Sequence, residues 1–200
     1  MRNKTLMTLA ALALALTAAT GCRVDTHKNG SGDDVNIATP FGGMSVKTNE
    51  AVVQGGVGLT AYPGATLVKK DNDQGAADVN IGFGSFHLSV KALDYRTTDA
   101  PDKVLAFYRN DMQRYGAVIH CRGSNAIGTP DHTQDGLTCE GQHEGRIHVA
   151  ETHADEEVLK TGSLQKQHIV AINPDGSGTK IGLVALDLPI HVGSGSGQSQ

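Results

Sequence analysis

One stretch of this chain, Thr98 to Gly116, carries apolar residues at helical spacing, whereas most apolar stretches after residue 34 have the length and alternation of strands, and that imbalance restricts the fold. Val104, Leu105, Tyr108, Met112 and Tyr115 form a stripe along one side of a helix, with Lys103, Arg109, Asn110 and Gln113 opposite. Asp99 is placed to cap its start, Pro101 and Asp102 suit its first turn, and Gly116 stops it. Such a stripe must be buried against something, and the alternating segments offer a sheet. Ser85 to Tyr95 is the clearest strand, with Phe86, Leu88, Val90 and Ala92 on one face and Ser85, His87, Ser89 and Lys91 on the other. Further strands are expected at 117–121, 146–152, 165–173 and 180–188. The last two are joined by Pro174-Asp175-Gly176-Ser177-Gly178 in hairpin fashion. The final strand is apolar on both faces and should be central.

Val35 to Thr39 and Met44 to Thr48 alternate around a turn at Pro40 to Gly43, which reads as a β-hairpin. Tyr62-Pro63-Gly64-Ala65 reads as a tight turn, and Asn49 to Gly58 and Lys69 to Ala77 as loops. The expected fold class is therefore α+β: an antiparallel sheet covered on one face by one main helix (about 99–115), in two layers, with an N-terminal β-hairpin. Aromatic residues make up only 4%, so the core must come mainly from Val, Ile, Leu and Ala. A formal net charge of -4 gives no basic field for phosphate backbones, so nucleic acid is not an expected partner.

The N-terminus supplies an address. Arg2 and Lys4 precede Leu6 to Ala19, an uncharged run rich in Leu and Ala with the form of a signal peptide. The run is shorter than the roughly 20 residues that span a bilayer comfortably. It ends at Ala19-Thr20-Gly21-Cys22, which resembles the lipobox of bacterial prolipoproteins, with Ala19 where Leu is usual. The resemblance implies that Cys22 becomes the mature N-terminus and carries a diacylglyceryl thioether plus an N-acyl chain such as palmitate. The domain would then be tethered to a membrane without spanning it. Arg23 stands where an Asp would signal inner-membrane retention, which implies the outer membrane, facing the periplasm. On this reading the chain divides into a signal peptide (1–21), a flexible tether (22–34), a single domain (35–191) and a disordered tail (192–200). Within the domain, 35–60 can be taken as an appended hairpin and loop.

Two further resemblances carry less. Asp34-Val35-Asn36-Ile37-Ala38-Thr39-Pro40-Phe41-Gly42 with Val46 and Thr48 is similar to one rung of the repeated strands in bacterial adhesin-type proteins. A solenoid needs several stacked rungs, and there is no second copy. Tyr62 to Ala65, Thr98-Asp99-Ala100-Pro101, Phe107-Tyr108 and Gln167-His168-Ile169-Val170 resemble a group of uncharacterised bacterial envelope proteins of acidobacterial type, a likeness that implies neither mechanism nor site.

Catalytic signatures are sparse. No Gly-x-Ser-x-Gly elbow lies between a strand and a helix, and Gly193 to Gly197 is a repetitive terminal run. Gly55-Gly56-Val57-Gly58 lacks the Lys-Ser/Thr of a phosphate-binding loop. His143, His148, Glu151 and His153 offer zinc-ligand chemistry, but on a strand His148 points away from Glu151 and His153. With Cys22 assigned to lipid, Cys121 and Cys139 form a pair that an exported domain would oxidise to a disulfide. The competing use is metal binding by Cys121, His132, Cys139 and His143. The reading is a lipid-anchored envelope domain with a non-catalytic binding or structural role, no cofactor, and an envelope protein or small ligand as partner. The alternative is a lipid-tethered metal-dependent hydrolase using His143, His148 or His153.

Overall fold

The structure is a computed structural model, and it describes residues 21–29, 32–68, 75–139 and 156–189. The N-terminal run 1–20, the histidine-rich segment with His143, His148 and His153, the strand expected at 146–152 and the C-terminal tail lie outside the described residues.

Among the described residues an antiparallel sheet of eleven strands dominates, accompanied by two helices, so this part of the chain is largely β and only partly fits an α+β description with one helix. In chain order the strands are β1 (Arg23–Asn29), β2 (Gly32–Thr39), β3 (Gly42–Lys47), β4 (Thr66–Leu67), β5 (Ala76–Phe83), β6 (Phe86–Thr97), β7 (Ile119–Arg122), β8 (Asn125–Ala126), β9 (Glu157–Gly162), β10 (Lys166–Asp175) and β11 (Gly178–Asp187). Helix α1 covers Glu50–Val57 and α2 covers Pro101–Asp111, which runs on into a 3-10 turn at Met112–Tyr115. The spatial order is β1-β2-β3-β5-β6-β11-β10-β9-β7-β8, with β4 paired to β6. The β2–β3 and β10–β11 hairpins expected from the alternation are present. So is the central position of β11, which pairs with β6 on one side and β10 on the other.

Register explains where the core lies. Leu159, Val170, Leu183, Leu93 and Ala76 stand opposite one another across β9, β10, β11, β6 and β5, so their side chains share one face. Ile172, Ile181 and Tyr95 form the next row on that face. Onto these rows pack Val53 and Val57 of α1, Val104 and Tyr108 of α2, Met112, Leu59 and Tyr62, nearly all fully buried. The helix stripe at Val104, Tyr108 and Met112 thus lies where its spacing indicated. The core face of β6 is Leu93 and Tyr95 with Ser89 and Thr97, while Leu88, Val90 and Ala92 point to the opposite, half-exposed side.

Three local expectations are corrected. Residues 50–57 form a helix although they contain two glycines, each of which costs about 1 kcal/mol relative to Ala in a helix interior. Val53 and Val57, one turn apart and wholly buried, offset that, and the Asn49 side chain accepts from the Val52 N–H at 3.3 Å as N-cap. Gly56 has no side chain because the Lys91 stem passes there, and Gly58 ends the helix at φ 74°. Its carbonyl accepts from the Tyr115 hydroxyl at 2.6 Å, tying α1 to the 3-10 turn. Secondly, 23–34 is not an irregular tether: Arg23–Asn29 pairs in register with Gly32–Ala38 as a hairpin at the sheet edge. Thirdly, α2 is capped by Ala100 rather than Asp99. The Asp99 carboxylate instead accepts from the Tyr62 hydroxyl at 2.8 Å and from Lys103 at 3.3 Å. The turn that delivers Tyr62 closes with the Ala65 N–H on the Tyr62 carbonyl at 3.0 Å, with Gly64 at φ 76°.

On the other face of the sheet lies a second, smaller core of Ile119, Cys121, Leu137, Cys139 and Val158. Cys121 and Cys139 are joined as a disulfide, with Cα atoms 5.5 Å apart. Their thiolates are therefore not metal ligands, and His132 lies at the surface paired with Asp131. Half-buried Lys160 donates to the Cys139 carbonyl at 3.2 Å, and its burial holds its pKa below the ordinary lysine value.

Candidate functional site

The most concentrated polar chemistry among the described residues surrounds His120. Strand β7 alternates so that Ile119 and Cys121 enter the small core while His120 turns to the helix side. There it meets Arg109 from the polar side of α2, Arg122 from its own strand and Glu157 at the start of β9. The Arg109 Nη2 lies 3.0 Å from His120 Nδ1. Because a guanidinium can only donate, Nδ1 accepts, and the proton of the neutral ring resides on Nε2. Nε2 faces Glu157 Oε2 at 3.4 Å, close enough for an ion pair if the ring charges, but poorly angled, so it forms no hydrogen bond. Arg122 Nη2 donates to the other Glu157 oxygen.

The environment fixes the charges. Burial holds the His120 pKa below its ordinary value of 6.5; Glu157 opposes this, and Arg109 and Arg122 reinforce it. Glu157 is held below its ordinary 4.5, chiefly by the hydrogen bond from Arg122. The result is a neutral imidazole and a carboxylate between two guanidinium groups. A cleft of about 370 Å³ opens beside it, between α2 and the 127–130 segment, lined by Arg109, Gln113, His120, Ile127, Thr129 and Pro130. Polar donors on an otherwise mixed wall suit a small polar or anionic guest. Among the described residues no hydroxyl or thiol is hydrogen-bonded to His120, so the nucleophile–base contact of covalent catalysis is not formed there.

A second interior histidine, His168 of β10, stacks on Tyr115 with ring centroids 3.8 Å apart. Burial, then the Arg114 charge, lowers its pKa too. Both histidines give acid sensitivity of known sign. The unfolded chain takes up these protons near pH 6.5 and the folded chain resists them, so stability falls as pH drops below about 6.5. Glu157 extends the trend, because its contribution is present above 4.5 and is lost as pH falls through its lower folded value. The urea midpoint should therefore fall between about pH 7.5 and about pH 5, and less steeply in His120→Gln. A midpoint that rises over that interval contradicts the assignment of a neutral His120.

Comparison with protein-family models, with curated proteins and with solved structures finds no match. The site must be judged on its own residues.

Of the positions singled out in the sequence, Cys22 is exposed and immediately precedes β1, and Cys121 and Cys139 are brought together. His143, His148 and His153 fall outside the described residues. Arg109, which looked like a plain solvent-side residue of the helix, bridges to His120. The Arg109–His120–Glu157–Arg122 group carries no motif in the sequence, since its members lie on three elements without motif spacing. The only clue was a histidine between two buried residues in a short alternating strand.

Proposed function

We propose that this chain is a bacterial lipoprotein of the cell envelope, anchored through Cys22, whose sheet domain has a non-catalytic binding or structural role. The outer membrane, facing the periplasm, is the address suggested by Arg23. The observation that carries the reading is the division of labour among the three cysteines. Cys121 and Cys139 are oxidised to each other and buried, while Cys22 stands free and exposed at the end of a lipobox-like segment. A structural disulfide fits a compartment outside the reducing cytoplasm. Among the described residues no helix is long and apolar enough to cross a membrane. The cleft beside Arg109 and His120 is the place where a small polar ligand would bind.

Phase separation in a clouding detergent tests the anchor. The wild-type protein should enter the detergent phase and Cys22→Ser should move to the aqueous phase, since removing several acyl chains at about 0.8 kcal/mol per methylene abolishes stable insertion. Identical partitioning of the two would overturn the reading.

A further inference from the structure

The sheet register places Cys22 beside an unusual part of the surface. Arg23 pairs with Ala38, so Cys22 lies level with Thr39. Thr39 pairs with Gly42, Gly42 with Phe83, and Phe83 with Phe86. One row at one end of the sheet thus runs from the proposed lipid attachment point to two phenylalanines, over four strand spacings or roughly 19 Å. Phe41 sits in the turn between Thr39 and Gly42 and is 84% exposed. Seven large apolar side chains are exposed among the described residues, and five belong to this end: Val24, Phe41, Met44, Phe83 and Phe86. Three of the chain's four phenylalanines are among them. The other two, Val52 on α1 and Ile127 beyond β8, lie elsewhere.

The side chains also agree in direction. Val24 pairs with Ile37, Ile37 with Met44, and Met44 with Ile81, two residues in from the Phe83–Phe86 row, so both rows face the same side, away from the helices. Neither row contains a charged residue. Two residues of strand cover about 7 Å, which matches the depth of roughly 5–10 Å to which peripheral apolar surfaces enter the headgroup and acyl boundary. In water these side chains would be exposed without benefit; an aromatic tip in the interfacial layer of a bilayer is favourable.

We propose that this end of the sheet docks directly on the lipid surface, with Phe41 foremost and Phe83, Phe86, Val24 and Met44 beside it. The proposal rests on the lipid-anchor reading of Cys22 and extends it. Because β1 starts at Arg23, only Cys22 and its glyceryl group separate lipid from fold, which keeps this end of the sheet close to the bilayer. The sheet edge and its aromatic tip meet the bilayer, while the cleft at His120, across the sheet beyond β9, is presented to the aqueous side. An identical surface on a second copy is the other apolar partner available, and the test distinguishes it.

The chain contains no tryptophan, so a single introduced one reports its own position. Full-length Phe41→Trp, Phe83→Trp and, as reference, Val52→Trp would be isolated from membranes and reconstituted in vesicles of phosphatidylethanolamine and phosphatidylglycerol, with or without bromine on the acyl chains. Phe41 and Phe83 are exposed, so the substitutions leave the core untouched. Bromine should quench the residue 41 and 83 reporters several-fold more than the residue 52 reporter, and Phe41→Asp should weaken quenching at residue 83. Equal, weak quenching at all three, with lipid on Cys22 confirmed by mass, would sink the docking proposal and leave the anchor standing. If mass shows no lipid on Cys22, the anchor reading fails, and the same reporters mixed with vesicles decide the tip: quenching at 41 supports it and none overturns it. A reporter at 41 that is shielded on self-association but unquenched by lipid also overturns it, and marks an interface between copies.

Discussion

Met112→Ala and Tyr108→Ala should each lower the free energy of unfolding by about 2–5 kcal/mol, the usual range for emptying a large, fully buried side-chain site. Both side chains are completely buried, and both contact the layer where the sheet rows of Leu93, Leu183 and Val170 meet the two helices. Tyr108 lies between Tyr62, at a ring separation of 6.3 Å, and Phe107, at 5.0 Å, so its truncation removes aromatic contacts as well as area. Its hydroxyl is buried near the Tyr62 backbone without a well-formed hydrogen bond, and burial raises its pKa. Tyr108→Phe should consequently be far milder than Tyr108→Ala, within about 1 kcal/mol, because little hydrogen-bond energy is lost with the oxygen. Urea titrations of the three variants test this. Equal, small losses for both alanine variants would mean that α2 does not cover the sheet.

Removing the disulfide is the second large effect. Cys121→Ser with Cys139→Ser should cost about 3 kcal/mol, since the cross-link closes a span of 18 residues and its loss returns that loop entropy to the unfolded chain. The loop has little of its own to compensate. Leu137 is its main apolar contribution to the small core of Ile119, Cys121, Cys139 and Val158, and Thr133 holds it locally, donating to and accepting from Leu137. Hydrogen exchange should show the amides of Thr133 and Leu137 opening first on reduction, with those of β10 and β11 protected until global unfolding. A loss below about 0.5 kcal/mol would show that the loop is held by packing alone.

How much of this was legible in the sequence follows from which forces dominate locally. The β10–β11 hairpin and α2 bury strongly periodic apolar residues, so their patterns were plain; β6 was plain as a strand, although its alternating Leu88, Val90 and Ala92 lie on the half-exposed face and its buried face is Ser89, Leu93, Tyr95 and Thr97. Helix α1 was not, because Gly55 and Gly56 suppress helix propensity and only the tertiary burial of Val53 and Val57 restores it. Strand β1 was hidden because Asn29-Gly30-Ser31-Gly32 has the composition of a linker as well as of a hairpin connection, and register alone distinguishes them. Strand β5 carries Asp78 and Asn80 on its helix-side face, where Asp78 meets Lys91 at 3.5 Å, so it lacks an apolar stripe on that face and was not read as a strand; its first two residues fell in the loop expected at 69–77. The disulfide was expected from the export reading and the cysteine count, and Cys121 and Cys139 are joined. The His120 group was not expected, since four residues from three elements leave no local trace.

The central claim is that Cys22 carries lipid, and the mass of the mature N-terminal peptide tests it most directly. Protein extracted from membranes and digested should yield a peptide beginning at Cys22 and continuing through Arg23 and Val24, heavier than its sequence by a diacylglyceryl group and one amide-linked acyl chain. A peptide bearing unmodified Cys22, or one that begins at any other residue, would contradict the account.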